Sequence, residues 1–270
     1  MCRCFSSLVL ITFLFLSFPL AGCKKVFQYS PYSGQLPKGY DGITTQKNLE
    51  KLQSSQNKNT GNFKIAVLSD SHYFLTDLGA AVDAINKRND IAFTVLAGDM
   101  SDQGLEQEYL LLYDQLVKLK TPLFTVIGNH DYLSNAALIY NRMFGPNNYT
   151  VSYGGYNFIF FDSNFWEKNG RPDFPWLKNA LETAGEGPSV LISHIPPFGD
   201  QYDPKSTAEH LEIVQAHNVP LSIHGHVHHF SHQEHYEDGT EYVVVPSIEK
   251  RKLCIISFQE GTFTVTMENY

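Results

Sequence analysis

The sequence predicts an α/β protein in which mixed β-sheets are covered by helices. Three observations support this fold class: short apolar runs that fit buried strands, segments with helical spacing of apolar residues between those runs, and a hairpin pattern in the middle of the chain. Strands that alternate with helices indicate crossover connections and parallel pairing, whereas a hairpin indicates antiparallel pairing. The predicted sheets are therefore mixed.

The first three predicted strands are each followed by a helix. The runs at 63–69, 91–97 and 122–127 are short and apolar, as expected for buried strands. Helical spacing of apolar residues follows each run: Leu78, Ala81, Val82 and Ile85 after the first, Leu105, Tyr109, Leu112, Leu116 and Leu119 after the second, and the segment 134–143 after the third.

The second half of the body begins with the hairpin. Residues 149–153 and 156–162 are joined at Gly154-Gly155, a turn typical of paired antiparallel strands. The remaining predicted elements are a helix at 174–183, a strand at 189–193, a helix at 207–216, a strand ending at 223, and strands at 242–245, 253–258 and 262–267.

The composition excludes several classes of protein. With 270 residues and 43% apolar side chains the chain can bury a substantial core, which excludes disorder over most of its length. The 20 basic residues against 28 acidic ones give a net charge of -8, so general nucleic-acid binding is not expected. Apart from Cys254, the cysteines lie at positions 2, 4 and 23, which leaves no disulfide framework.

The amino-terminal segment predicts export. Residues 1–22 have the basic start and apolar run of a signal peptide, and the letters LAGC at 20–23 resemble a bacterial lipoprotein cleavage box. Cys23 would then be lipidated, and the polar segment 23–62 would be a lipid-attached tether before a domain at 63–270. The predicted location is the bacterial cell envelope, held to the membrane by lipid alone. A secreted or periplasmic soluble protein, with Cys23 unmodified, is the alternative.

Polar and imidazole side chains follow five of the predicted strands. The segments are Asp70-Ser71-His72, Gly98-Asp99 with Asp102, Gly128-Asn129-His130-Asp131, His194, and His224-Gly225-His226-Val227-His228. Each alone is common in turns and helix caps. Because ligands bind outside the carboxyl ends of strands in open α/β sheets, their joint occurrence predicts one shared site.

With this ordered set the chain resembles the calcineurin-like metallophosphoesterase family over about residues 63–246. The resemblance implies a four-layer αββα sandwich with two metal ions at the strand ends. It assigns one ion to Asp70, His72, Asp99 and His228 and the other to Asn129, His194 and His226, with Asp99 bridging both. His130 matches the family's catalytic histidine that does not bind metal, and Asp131 matches the acid beside it that helps to orient it.

The donor types indicate the metals and the reaction. Imidazoles and carboxylates without thiolate favour Mn, Fe or Zn. The expected reaction is attack of metal-bound hydroxide on the phosphorus of a phosphate ester, with His130 donating a hydrogen bond or proton. A phosphodiesterase acting on cyclic nucleotides or headgroup diesters is one alternative, and a catalytically silent envelope binding protein is another. No oligomeric state is indicated.

Other polar and aromatic residues receive structural interpretations. Asp102 matches the second acid of the family's Gly-Asp-x-x-Asp pattern, but a cap on the following helix explains it at least as well, and it is left out of the metal set. His224 is expected to pack beside the site. The loops containing Phe165 and Trp166 and residues 195–199 are candidates to line the pocket. The remaining histidines are expected on the surface or in solvated loops: His210, His217, His229, His232 and His235.

Overall fold

A computed structural model describes residues 30, 32–55 and 61–270 of the chain. The predicted signal peptide at 1–22 and the predicted lipidation site at Cys23 lie outside the described residues, as do parts of the predicted tether. In the part of the chain that the structure describes, no helix is both long and apolar enough to cross a membrane.

Helices and strands alternate along the described chain as the sequence predicts. The helices are α1 Thr45–Ser55, α2 Leu75–Asn86, α3 Glu106–Leu116, α4 Ala136–Met143, α5 Phe174–Glu182 and α6 Pro204–Ala216. The strands are β1 Phe63–Leu68, β2 Ile91–Leu96, β3 Leu123–Thr125, β4 Tyr149–Tyr153, β5 Tyr156–Phe161, β6 Ser189–Ser193, β7 Leu221–His224, β8 Ser231–Glu234, β9 Glu241–Val244, β10 Lys252–Gln259 and β11 Thr262–Asn269. Short 3₁₀ turns follow β3 and β9, at His130–Tyr132 and Ile248–Lys250.

The strands form two mixed sheets. The first has the order β11-β10-β1-β2-β3 and the second the order β4-β5-β6-β7-β9-β8. Strands β1, β2 and β3 are parallel to one another, as are β5, β6, β7 and β9, while the hairpins β4–β5 and β10–β11 and the outer strand β8 are antiparallel. The carboxyl ends of the parallel strands in each sheet therefore lie at one edge.

Alternation of side chains along the strands produces the four-layer αββα sandwich. In β1, Ile65 packs between the two sheets, whereas its neighbour Ala66 faces the helices α2, α3 and α4. In β5, Phe158 and Phe160 join the layer between the sheets, and Ile159 faces α5 and α6. Because successive side chains of a strand point to opposite faces, a sheet buried on both sides needs a nearly continuous apolar sequence. The predicted fold class is thus confirmed.

Helix α1 differs from the prediction that residues 23–62 form a tether. Its Asn48 side chain accepts a hydrogen bond from the backbone of Leu123 at 2.8 Å, and the backbone of Thr45 donates to Phe144 at 2.6 Å. Leu52 is fully buried in the layer between the sheets. The linker interpretation is therefore wrong for residues 45–55, which are packed against the domain.

Candidate metal centre

The structure brings together the seven candidate ligands that the sequence predicts. Loops after β1, β2 and β3 supply the ligands from the first sheet, and the ends of β6 and β7 supply those from the second. These loops meet because the parallel strands of each sheet end at the same edge. The seven residues are Asp70, His72, Asp99, Asn129, His194, His226 and His228.

Four of these side chains form the first ligand set. Asp70, His72, Asp99 and His228 each offer a nitrogen or oxygen within 4.8 Å of the others. The Nε2 atoms of His72 and His228 lie 3.4 Å apart, and Nε2 of His228 lies 3.3 Å from Oδ1 of Asp70. Imidazole nitrogens and carboxylate oxygens that converge in this way match the donor set of a borderline first-row cation.

The second ligand set shares Asp99 with the first. One atom each from Asp99, His194 and His226 lies within the same 4.8 Å limit. Asn129 joins this group, since its Oδ1 lies 3.1 Å from Nδ1 of His226. Nε2 of His194 approaches Oδ2 of Asp99 at 3.2 Å, while Nε2 of His72 lies 3.7 Å from the same oxygen. The carboxylate of Asp99 therefore stands between the two sets, as a bridging ligand must.

The backbone of the site is held in a conformation that side chains rarely adopt. Five of the seven residues have a left-handed backbone, with φ between +39° and +69°: Asp70, His72, Asp99, His226 and His228. Such conformations cost free energy and cluster at functional sites. Gly128 lets this loop approach closely, because a Cβ there would collide with the carboxylate of Asp99.

A buried ring nitrogen of His194 shows that the residues fit a metal. Nδ1 of His194 lies 2.7 Å from the backbone oxygen of Ala97, so that nitrogen carries a hydrogen, and in the neutral ring the lone pair is on Nε2. This Nε2 is fully buried, and although Oδ2 of Asp99 lies 3.2 Å away, Nε2 forms no hydrogen bond of acceptable geometry among the described residues. A buried polar atom without a partner is costly, and a bound cation would remove that cost.

Charge in the site is balanced between Asp99 and its imidazole neighbours. Burial alone would raise the pKa of Asp99, but the imidazoles of His194, His130 and His72 hold it well below its usual range. For His194 burial lowers the pKa, and the carboxylates of Asp99 and Asp70 more than offset this effect and raise it to about 10. A bound cation would replace that proton, because a ligating imidazole is neutral.

His130 lies beside both sets with a different partner from the one that the sequence predicts. Its Nδ1 lies 2.7 Å from the backbone oxygen of Asp102, and its backbone N–H donates to Asp99 at 3.0 Å. Its ring lies 4.7 Å from that of His72. Asp102 does not cap a helix, since α3 begins after Leu105; its side chain lies 3.7 Å from Nδ1 of His72 instead. The capping interpretation of Asp102 is therefore wrong.

Asp131 supports the loops rather than the ring of His130. Its buried carboxylate accepts hydrogen bonds from the backbone N–H groups of Gly128, Met100 and Ser101 and from the hydroxyl of Tyr109 at 2.6 Å. Burial and the nearby charge of Asp99 raise its pKa. In the described chain no hydrogen bond joins this carboxylate to the imidazole of His130. The predicted orientation of His130 by Asp131 is corrected: Asp102 provides that contact, and Asp131 ties the loop after β2 to the loop after β3.

Two carboxylates that sequence reasoning missed lie against the second set. Glu167 accepts a hydrogen bond from Nδ2 of Asn129 at 3.1 Å, and Asp200 lies 3.0 Å from Nε2 of His226. Their loops include the predicted pocket candidates: Phe165 is buried, whereas Trp166 is exposed. No local spacing marked either acid, because both lie in irregular loops.

The other histidines divide between core and surface. His224 is buried beside the site, with Ser193 and Ser222 3.1 and 2.8 Å from its two ring nitrogens, as the packing interpretation predicts. His210, predicted on the surface, is fully buried against Phe174 and Tyr202. The surface prediction for His210 is therefore wrong; the apolar face of α6 turns this ring inward.

Comparisons with known proteins agree with this geometry. The family model described as calcineurin-like phosphoesterase matches residues 63–230. A protein of Coxiella burnetii named a probable cyclic nucleotide phosphodiesterase is 29% identical over 61% of this chain and 75% of its own length. A Synechococcus protein with the same description is 30% identical over 57% of this chain, which spans 64% of that relative.

Solved structures share the fold. The purple acid phosphatase from yellow lupin seeds superposes with a TM-score of 0.63 at 12% identity, covering 78% of this chain and 52% of that one. At this identity the likeness concerns the arrangement of strands and helices, and the ligand geometry stands on the side chains described above.

Proposed function

The chain belongs to the calcineurin-like phosphoesterase family, and on that premise we propose that it is a two-metal phosphodiesterase whose substrates include cyclic nucleotides. The observation that carries the proposal is the pair of ligand sets that share Asp99 at the carboxyl ends of the strands. A shared carboxylate would hold two cations close together, as in the two-metal form of in-line displacement at phosphorus. The relatives named cyclic nucleotide phosphodiesterases favour diesters within the general class of phosphate esters.

The proposed ligands divide between the two ions as the geometry divides them. Asp70, His72, Asp99 and His228 would hold one ion, and Asp99, Asn129, His194 and His226 the other. Oxygen and imidazole donors without thiolate favour Mn, Fe or Zn. When bound, the metal pair would supply Lewis acidity that polarises the phosphoryl oxygens and makes a nucleophile available near neutral pH.

The carboxylates of the chain leave the centre attractive to anions. Two divalent ions bring four positive charges, of which Asp70 and Asp99 neutralise two. Both carboxylates are buried, with side-chain exposures of 0% and 2%, so solvent screens them little. A protein with a net charge of -8 can therefore still bind a phosphate ester at this edge.

His130 is the proposed proton donor. The backbone oxygen of Asp102 only accepts hydrogen bonds, so Nδ1 of His130 must carry a hydrogen. Nε2 then carries a second hydrogen only when the ring is protonated. A protonated His130, held by Asp102 and lying beside the carboxylate of Asp99, donates from Nε2 to the leaving oxygen of the ester. The contact with Asp102 keeps the ring from turning its donor away.

The proposed location is the bacterial cell envelope, with the chain attached through lipid on Cys23. The basic and apolar pattern of residues 1–22 and the LAGC letters at 20–23 support this proposal. Labelling of cells with a tagged fatty acid tests it. The wild-type chain should carry the label and sediment with membranes, and Cys23→Ser should lose both properties. A labelled Cys23→Ser protein would contradict lipidation at Cys23.

Hydrolysis assays with the purified full chain, loaded with Mn²⁺, test the function. The substrates are 3′,5′-cyclic AMP, bis(4-nitrophenyl) phosphate as a simple diester and 4-nitrophenyl phosphate as a monoester. Turnover of the first two above the monoester is expected, with loss of activity on chelation. Activity on the monoester alone would overturn the diester proposal, and bound metal without any hydrolysis would favour a silent binding protein.

His130→Ala tests the proton donor. Turnover should fall about 10²- to 10⁴-fold, the usual contribution of a positioned acid or base, while two metal ions remain bound. Metal content is measured by elemental analysis after gel filtration. His217→Ala, at the end of α6, removes an imidazole away from the site and should leave turnover unchanged. Parallel loss of metal and activity in His130→Ala would contradict a role that does not involve ligation.

A further inference from the structure

Two acidic side chains border the second ligand set from separate loops. Glu167 lies in the loop after β5, where Oε1 accepts a hydrogen bond from Asn129 at 3.1 Å. Asp200 lies in the loop after β6, with Oδ1 3.0 Å from Nε2 of His226. Gln201 joins the loops, since its side chain donates to Oε2 of Glu167 at 3.0 Å. We call Glu167 and Asp200 the acidic rim.

The loop that carries Glu167 is fixed to the body of the protein. Asn164 donates through its side chain to the backbone oxygen of Ile127 at 2.9 Å, which ties this loop to the end of the first sheet. Lys168 pairs with the buried carboxylate of Asp162 at 2.8 Å. Gln201 is itself buried, with 4% exposure. The carboxylate of Glu167 is therefore held at the edge of the centre rather than free to turn into solvent.

The charge of the acidic rim is not neutralised by Lys or Arg. The nearest lysine in sequence, Lys168, is used by Asp162, and within 61–270 no ion pair joins Glu167 or Asp200 to a basic side chain other than His226. A rim of two carboxylates thus lowers the electrostatic potential on the side of Asn129 and His226. A substrate that brings more negative charge to this side meets more repulsion.

We propose that Glu167 and Asp200 are specificity-determining residues that disfavour doubly charged phosphate monoesters relative to singly charged diesters. The inference rests on the proposed function and assigns the selectivity to these two side chains. Near neutral pH a monoester approaches two negative charges, whereas a diester carries one. The rim therefore repels the monoester about twice as strongly at the same distance.

Charge-neutral variants of the same shape test the proposal. In Glu167→Gln the amide oxygen can still accept the hydrogen bond from Asn129, while the amide nitrogen then faces the side-chain nitrogen of Gln201 and that second hydrogen bond is lost. Asp200→Asn likewise retains an oxygen towards His226. With the Mn²⁺-loaded full chain, kcat/KM is measured for 4-nitrophenyl phosphate and bis(4-nitrophenyl) phosphate. The ratio of monoester to diester should rise about three- to fivefold for Glu167→Gln and less for the more exposed Asp200→Asn.

A salt titration and a distant control variant distinguish the local effect of the acidic rim from the effect of the protein's net charge. The rise in the ratio should shrink in about 1 M salt, where the screening length is about 3 Å. Glu260→Gln makes the same change of net charge in the turn between β10 and β11, at the opposite edge from the centre, and should leave the ratio unchanged.

The outcomes separate this inference from the proposed function. If the ratio of monoester to diester kcat/KM is unchanged in both rim variants and both substrates are still hydrolysed, the specificity role of the acidic rim is contradicted. The phosphodiesterase proposal then still stands. Loss of metal in Glu167→Gln, measured by elemental analysis, also overturns it, because Glu167 would then act by supporting Asn129. Absence of hydrolysis in the metal-loaded wild type would instead contradict the proposed function itself.

Discussion

Two regions of the molecule are formed by the same strands. The layer between the sheets is apolar, whereas the edge with the candidate ligands is polar and charged. Between the sheets Phe158 is fully buried and its ring lies 5.1 Å from Phe93 and 5.6 Å from Phe258, all in regular strands. At the edge, Asp70 and Asp99 are equally buried but polar, on left-handed backbone. Burial of apolar area stabilises the first region, whereas the second places charges where only a partner can stabilise them.

The two regions show that the middle of a strand stabilises the fold, whereas the residues just after its carboxyl end form the site. A strand such as β1 contributes apolar side chains to the core and ends just before Asp70. Substitutions in the core should change the free energy of unfolding without changing the metal content of the folded protein. Substitutions at the edge should change the metal content of the folded protein while the apolar core stays packed.

Asp99→Asn is the strongest test of the edge. The substitution removes the charge shared by both ligand sets and turns a donor group towards Nε2 of His194. We expect loss of the metal pair and a fall in turnover of about a thousandfold or more, since bound metals contribute several kcal/mol to catalysis and each 1.36 kcal/mol is tenfold.

Elemental analysis, steady-state kinetics and circular dichroism check this expectation together. The variant should remain folded. Asp114→Asn, on the exposed face of α3, makes the same chemical change away from the edge and should keep both metal and rate. Two tightly held ions and a full rate in Asp99→Asn would break the comparison and the bridging assignment.

Phe158→Ala probes the core. Removing a fully buried aromatic ring should lower the free energy of unfolding by about 3–5 kcal/mol, through lost apolar contacts and the cavity left behind. Urea titration measures the loss, and the folded fraction should bind metal with unchanged stoichiometry. Leu111→Ala, at an exposed position of α3, should cost about 0.5 kcal/mol or less. A metal-free but normally stable Phe158→Ala protein would contradict the separation.

The regular parts of the fold could be predicted from the sequence because their patterns are local. The spacing of apolar residues predicts buried strands and amphipathic helices. Strand β3 is shorter than predicted because the chain leaves the sheet before Gly128. Helix α1 could not be predicted in this way. Only Leu49 and Leu52 are apolar in Thr45–Ser55, so the helix depends on tertiary hydrogen bonds such as that of Asn48.

Only the residues of the site that belong to sequence motifs could be predicted. Which seven side chains meet followed from strand ends, and their roles as ligands stay a prediction. The partner of His130 and the positions of Glu167 and Asp200 depend on how distant loops pack, which no local spacing records. The burial of His210 was missed for a related reason: a histidine on a helix is compatible with either face until the neighbouring α5 is placed.

His210 gives a smaller predicted effect than Asp99 or Phe158, and it gives the core a pH dependence. Burial lowers its pKa to about 4, and both ring nitrogens lack hydrogen-bond partners among the described residues. In the unfolded chain the same imidazole titrates near its ordinary value of 6.5. Between these two values the unfolded state binds more protons, so stability falls as the pH decreases from about 6.5 towards 4. The expected loss between about pH 7 and pH 5 is about 2 kcal/mol from this residue.

His210→Leu should remove this contribution, because leucine fills the apolar site and does not titrate. Urea titrations at the two pH values, with a chelator present to exclude metal binding, give the change in unfolding free energy for each protein. The wild type should lose about 2 kcal/mol more than the variant between about pH 7 and pH 5. Val214→Ala, buried on the same helix, should lower stability equally at both values. If the wild type and His210→Leu lose the same unfolding free energy between the two pH values, the buried imidazole of His210 does not cause the pH dependence. The pH dependence would then come from titratable groups at the edge that carries the candidate ligands.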